Sequence, residues 1–217
     1  LDQLNVTGSI SLMTSGPAGD ATIVNAIGVD LATSSVAGNL TATATTGGMT
    51  DFGMTLVSGN ASFISLQIGQ AIVLDQLGVD GSISLQTAVD GDATIVNKTA
   101  IDLAASMVGG HLSATATTGS ITDSDAVTVA KNGRFETLVS NQTITLDQLD
   151  VAGTIALFTL GTNGDATIVN TTQVDLAASD VGGNLDVTAT TGGIVDSGTV
   201  TVGGDARFDS LESGADI

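Results

Sequence analysis

The tetrapeptide Leu-Asp-Gln-Leu opens at Leu1, Leu74 and Leu146, and this recurrence constrains the fold more than any other feature of the chain. Self-similarity at a fixed period marks architectures in which one unit cannot bury its apolar face alone and must stack on its neighbours. The units run from 1 to 73, 74 to 145 and 146 to 217. Each contains a Gly-Asp-Ala-Thr-Ile-Val-Asn block (Gly19 to Asn25, Gly91 to Asn97, Gly164 to Asn170). A Val/Ile-Asp-Leu-Ala segment follows at Val29, Ile101 and Val174, then an Ala-Thr-Thr-Gly turn ending at Gly47, Gly119 and Gly192.

Inside the units a shorter pattern, Val-x-Gly, begins at Val6, Val36, Val57, Val79, Val108, Val151, Val181 and Val202, with a ninth copy at Val129 where Lys131 replaces the glycine. The steps between successive copies are 30, 21, 22, 29, 21, 22, 30 and 21. A period of 21 to 22 with one longer member in three predicts nine solenoid coils, three to a unit, the long coil bulging between Leu12 and Val36 or its equivalents.

The residues between these marks are strand formers with period 2, as in Leu40-Thr41-Ala42-Thr43-Ala44, and glycine, Asn-Gly and Asp-Gly steps separate them. No window sustains a helical period. Alternation sends the pairs Ile10/Leu12, Leu40/Ala42, Ala61/Phe63, Ile83/Leu85, Leu112/Ala114, Ile155/Leu157, Leu185/Val187 and Ala206/Phe208 inward, with Ser, Thr, Asn and Asp outward. Barrels and sandwiches also use short alternating strands, but give no reason for three near-copies with nine sub-periods. The expected fold is an all-β parallel β-helix, a β-solenoid. At ~4.8 Å per coil it is a rod of roughly 43 Å, and parallel crossovers with coils above about 20 residues favour the right hand.

Composition removes many functions. The net charge is -19, with 23 acidic and 4 basic side chains, so no basic stripe exists to hold nucleic acid. Hydrophobic residues make up 42% and mean hydropathy is positive, which argues for folding despite the charge. Cysteine is absent, which excludes disulfides and thiolate metal sites, and no apolar run reaches the ~18 residues of a membrane span.

Coils of the form Val-x-Gly-Asn-Leu-Thr, rich in Thr, Ala, Gly and Asp, resemble the β-helical shafts of filamentous-haemagglutinin-type and other giant repetitive surface proteins of bacteria. The resemblance spans the whole chain and implies an architecture more than a receptor. It carries no Arg-Gly-Asp tripeptide and no Gly-Gly-x-Gly-x-Asp calcium nonapeptide.

The acidic residues recur at single phases: Asp20, Asp92 and Asp165; Asp30, Asp102 and Asp175; Asp51, Asp123 and Asp196; Asp2, Asp75 and Asp147. An active site is made once and breaks repeat symmetry, whereas a turn residue is copied with its repeat. The reading is therefore backbone capping by Asp and no enzyme, although polysaccharide-active β-helices do use paired carboxylates. No organic cofactor is implied, and calcium is the candidate ligand, at Asp90 and Asp92 with Asp20 and Asp165 as counterparts.

His111 falls where the other units carry Asn39 and Asn184, a surface polar place, while Phe63, Phe135 and Phe208 share one phase and read as core spacers. Thr41, Thr43 and Thr45, echoed by Thr115 and Thr117, suggest an ice-binding hydroxyl array, but they return only every third coil. Sequons at Asn5, Asn39, Asn60, Asn97, Asn141 and Asn170 are expected by chance in such a composition.

The sequence thus points to a structural segment of an extracellular or cell-surface fibre. Its partners are further repeats or copies of itself stacked head to tail, because no capping element closes either end of the pattern. The alternative is the shaft of a surface adhesin.

Overall fold

The computed structural model describes residues 1–16 and 18–217. Alternation turns directly into strands: in Leu40–Ala44 the residues Leu40, Ala42 and Ala44 are buried while Thr41 and Thr43 face outward. Ala93–Asn97 and Leu112–Ala116 repeat the pattern. Neighbouring strands pair in parallel along two sheets of 12 and 13 strands. Among the described residues there is no helix, and so none long and apolar enough to cross a membrane.

The chain alternates between the sheets. Ala21–Asn25 lies in the first, Val29–Leu31 and Ser34–Val36 in the second, and Leu40–Ala44 in the first again. The register partners Ala21↔Leu40, Leu40↔Ala61 and Ala61↔Ile83 each stand one turn apart along the chain. Ten rungs lie along the first sheet from Ala21–Asn25 to Ala206–Ser210, hence nine turns between them. The expected β-solenoid is what the molecule has, with about nine turns between those two strands and the bridges of Leu4, Ile10 and Met13 to Asn25, Leu31 and Ser35 before them.

The turns are not shared out three to a unit. Leu40–Ala44 and Leu185–Ala189 lie in the first sheet, but their middle-unit equivalent Leu112–Ala116 lies in the second. Between Ile72–Val79 and Ile144–Val151 the chain changes sheet seven times, so one unit is three and a half turns. Successive units are related by half a rotation and an advance of about 17 Å at ~4.8 Å per turn. The physical reason is arithmetic: the stretch from Leu74 to Leu146 is not a whole multiple of a turn such as Leu40 to Ala61.

The expected bulge in the long coil is corrected by the same observation. Between Leu85 and Val108 the chain makes an extra crossing through Ala93–Asn97, so the long steps are one and a half turns. A true bulge sits elsewhere, in Ile72–Val79, where the register partners pass from Leu74 to Leu77 and Asp75-Gln76 loop out. Ile144–Val151 has the same shift between Leu146 and Leu149.

One continuous apolar core runs between the sheets, with Phe63 and Phe135 wholly buried. The expected burial of Phe208 and Ala206 needs correcting: Phe208 is half-buried against the core and Ala206 is exposed, their strand Ala206–Ser210 pairing with Leu185–Ala189 alone among the described residues. The Val-x-Gly glycines are demanded by close approach. A Cβ on Gly38, Gly110 or Gly183 would collide with the carboxylate of Asp20, Asp92 or Asp165 in the preceding turn.

Candidate functional site

At the Val-x-Gly corner the strand has ended and the next N–H would be left to solvent. A side-chain oxygen from the preceding turn accepts it. Asp20 Oδ1 accepts from the Asn39 N–H at 2.7 Å, Asn39 Oδ1 from Asn60 at 2.9 Å, and Asn60 Oδ1 from Ser82 at 3.0 Å. The third unit repeats the ladder from Asp165 to Asn184 (2.6 Å) to Asp205 (2.8 Å).

In the middle unit Asp92 Oδ1 accepts from His111 at 2.7 Å, and His111 takes the asparagine's place by accepting the Asn132 N–H on Nδ1 at 3.3 Å. The neutral imidazole with its proton on Nε2 is the form that can do this. The exposed polar place read from repeat alignment is where His111 stands.

Of the calcium candidates, Asp20, Asp92 and Asp165 are the first members of these three ladders. Asp90 points elsewhere and pairs with Lys131 at 2.8 Å. That hydrogen bond and charge hold the Asp90 carboxyl below its usual value and push the Lys131 ammonium up. Both ends are solvated, so the pair adds little stability. Among the described residues no three His, Cys, Asp or Glu side chains gather where one ion could bind them.

A second ladder runs inside. Asn25, Asn97 and Asn170 have no exposed surface. Asn97 Oδ1 accepts the Val79 N–H at 2.8 Å, and its amide donates to the carbonyls of Val79 (3.0 Å) and Ala100 (2.6 Å). Asn170 serves Val151 and Gln173, and Asn25 serves Val6 and Gly28, in the same way. In the sequence Asn97 and Asn170 stand out only as sequons. The signal lay in the alternation of Ala93, Ile95 and Asn97, which puts the amide on the inward side. Both are thus shielded from a glycosyltransferase in the folded state, whereas Asn5, Asn39, Asn60 and Asn141 are exposed.

The third arrangement joins the units. Asp51 accepts the Asp75 N–H on one oxygen at 2.9 Å and the Gln76 N–H on the other at 2.8 Å. Asp123 clamps Asp147 and Gln148 identically, at 2.9 Å each. The clamped amides are those freed by the bulge. Burial outweighs these hydrogen bonds and raises the carboxyl of both Asp51 and Asp123. The capping role read from repetition holds for Asp20, Asp92 and Asp165 and for Asp51 and Asp123, the last two capping the following unit and not their own turn. It fails for Asp30, Asp102 and Asp175, which accept no backbone N–H among the described residues. Asp30 accepts the Thr50 hydroxyl, and Asp102 and Asp175 each keep a buried oxygen without a partner among the described residues.

The outward hydroxyls make no regular lattice. Thr41 stands between Thr22 and Ser62, but Thr43 stands between Val24 and Ile64.

Two parallel sheets, one continuous core and ladders copied in every unit define a tandem-repeat β-solenoid. The chain belongs to the family described as repeats of unknown function (DUF5649), which matches residues 18–88, 90–158 and 163–217. The matches begin close to the Gly-Asp-Ala-Thr-Ile-Val-Asn block and not at Leu-Asp-Gln-Leu, a difference of phase within one repeating pattern. No curated protein and no solved structure matches the chain.

Proposed function

We propose that this chain is a stiff structural segment of an extracellular or cell-surface fibre, built by end-to-end stacking of β-helical repeats coiled with the right hand. The observation that carries the reading is the joint. Where Asp51 and Asp123 clamp the next unit, the strand ladders and the core continue unbroken, so load passes along the rod through hydrogen bonds and packing rather than through a linker.

The acidic side chains support a mechanical role over a catalytic one, because the ladder carboxylates are each engaged with backbone N–H groups of the following turn. Neither catalysis nor a resident cofactor belongs to this role. Divalent cations enter only as screening ions between rods of net charge -19. The resemblance of the Thr-, Ala-, Gly- and Asp-rich coils to bacterial surface shafts supports the location.

Electron microscopy of the native material is the test. Unbranched filaments one solenoid wide are expected, and compact particles with no elongated axis would overturn the reading.

A further inference from the structure

Asn-Gly occurs at Asn132-Gly133 and at Asn163-Gly164, and the fold treats the two pairs oppositely. An amide nitrogen that follows asparagine can attack the side-chain carbonyl. A glycine nitrogen meets the least steric opposition, because its residue carries no Cβ.

At Asn132 the groups are held in place. Its N–H donates to His111 Nδ1 at 3.3 Å, its carbonyl accepts the Leu112 N–H at 2.9 Å, and its Oδ1 accepts the Thr154 N–H at 3.0 Å. Gly133 is buried at the start of Gly133–Thr137, paired with Leu112 in one neighbouring turn and with Ile155 in the other. Bringing its nitrogen onto the Asn132 side chain would part the ladders on both sides.

Asn163 is held far less. It is exposed in the turn from Gly161 to Gly164, which is closed by one hydrogen bond, from the Gly164 N–H to the Gly161 carbonyl at 2.9 Å. The Asn163 N–H donates to Asn141 Oδ1 at 3.2 Å, and its side-chain amide has no partner among the described residues. Local opening here disturbs a turn and no ladder. Nor is the residue copied with its repeat: Ala18 and Asp90 precede the equivalent glycines of the other units.

We infer that Asn163-Gly164 is a modification site at which the folded chain converts its own asparagine, through a cyclic imide, to isoaspartate and aspartate. The Gly164 nitrogen gives up its proton to hydroxide and bonds to Asn163 Cγ. The Cγ–Nδ2 bond then breaks, and the side-chain nitrogen takes up a proton and leaves as ammonia. Water, the one co-reactant, reopens the ring. Cleavage between the Asn163 main-chain carbonyl carbon and the Gly164 nitrogen gives isoaspartate, whose main chain runs through Cβ and Cγ. Cleavage of the newly formed bond gives aspartate, and neither route transfers electrons.

The rod accommodates the product. Thr162 and Asn163 are both exposed, and the strands Thr154–Thr159 and Ala166–Asn170 end and begin outside the turn, so an extra main-chain atom parts no ladder. The new carboxylate adds one negative charge beside Asp165, on a chain already at -19. In a long-lived fibre the fraction converted would record the age of each chain at one fixed corner.

The experiment incubates the 217-residue chain in mildly alkaline buffer, folded and in urea, with digestion by pepsin at acid pH to stop the reaction. Mass spectrometry of the peptides carrying residues 132 and 163 follows the amide-to-acid mass gain. Methyl transfer by an isoaspartyl-specific carboxyl methyltransferase identifies the isomer in each peptide. In the folded chain Asn163 should convert at least about tenfold faster than Asn132, and faster still as pH rises, whereas in urea the two rates should converge. Asn163→Ala, which installs the residue of the first unit, should abolish conversion in its peptide and leave the melting temperature unchanged. Equal rates at the two sites in the folded chain, whether both fast or both negligible, would overturn the inference, as would aspartate formed at residue 163 without isoaspartate.

Discussion

Asn97 and Asn60 each cap an N–H of a neighbouring turn, one in the core and one in water. Replacing Asn97 with Ala leaves the buried Val79 N–H without its acceptor, while the Val79 carbonyl keeps the Thr99 hydroxyl and the Ala100 carbonyl lies at an exposed residue, at about 1–3 kcal/mol for the group left unpaired. Asn97→Ala should cost roughly 1–3 kcal/mol in urea titration and Asn60→Ala under about 1, because water takes over the outer place. Equal losses would contradict the inner and outer assignment.

The clamps make a second prediction at this scale. Burial raises Asp51 and Asp123 above the ordinary aspartate value of 3.8, so the folded chain binds these protons more tightly than the unfolded chain does. Stability should rise as pH falls from 7 through the raised values toward 3.8. The lowered, exposed Asp90 works weakly the other way. A urea midpoint that falls between pH 7 and pH 4.5 would contradict this. Asn39, Asn184 and His111 were legible because alignment of the repeats superposes them. The clamp partners of Asp51 were not, since they lie 24 and 25 residues away in the next unit.

A turn stands or falls with its buried side chains. Phe135 is wholly enclosed between turns held by backbone ladders on both sides, so the space left by Phe135→Ala cannot close. The expected cost is roughly 3 to 5 kcal/mol. Asp125→Ala removes an exposed side chain bonded only to the next residue's N–H, and should cost under about 0.5 kcal/mol. Denaturant midpoints that shift alike would refute the assignment of faces. Strands such as Leu112–Ala116 were readable because period-2 alternation reports burial directly. The bulge at Asp75-Gln76 was not, because a looped-out pair reads as ordinary alternation until the opposing strand is known.

The half-turn offset exists only at the scale of the whole rod. Val-x-Gly marks one kind of corner and the buried asparagine another, and counting the first kind alone gives three turns where there are three and a half. In the proposed fibre the charge of -19 opposes side-by-side packing unless cations screen it. Treating bundled fibres with EDTA at low salt should reduce their diameter and leave their length, and loss of length at constant diameter would place calcium at the axial joints. The offset itself is accessible because the chain has no cysteine to compete with introduced labels. Thr41, Ser113 and Asp186 are equivalent outward positions on Leu40–Ala44, Leu112–Ala116 and Leu185–Ala189. Cysteine pairs at these positions, spin-labelled and measured by pulsed electron resonance, should place 41 and 186 on one face seven rungs apart, roughly 34 Å at ~4.8 Å per rung, with 113 on the opposite face and both its distances lengthened by the thickness of the rod. Three collinear labels about 14 Å apart would mean whole turns per unit and would contradict the account.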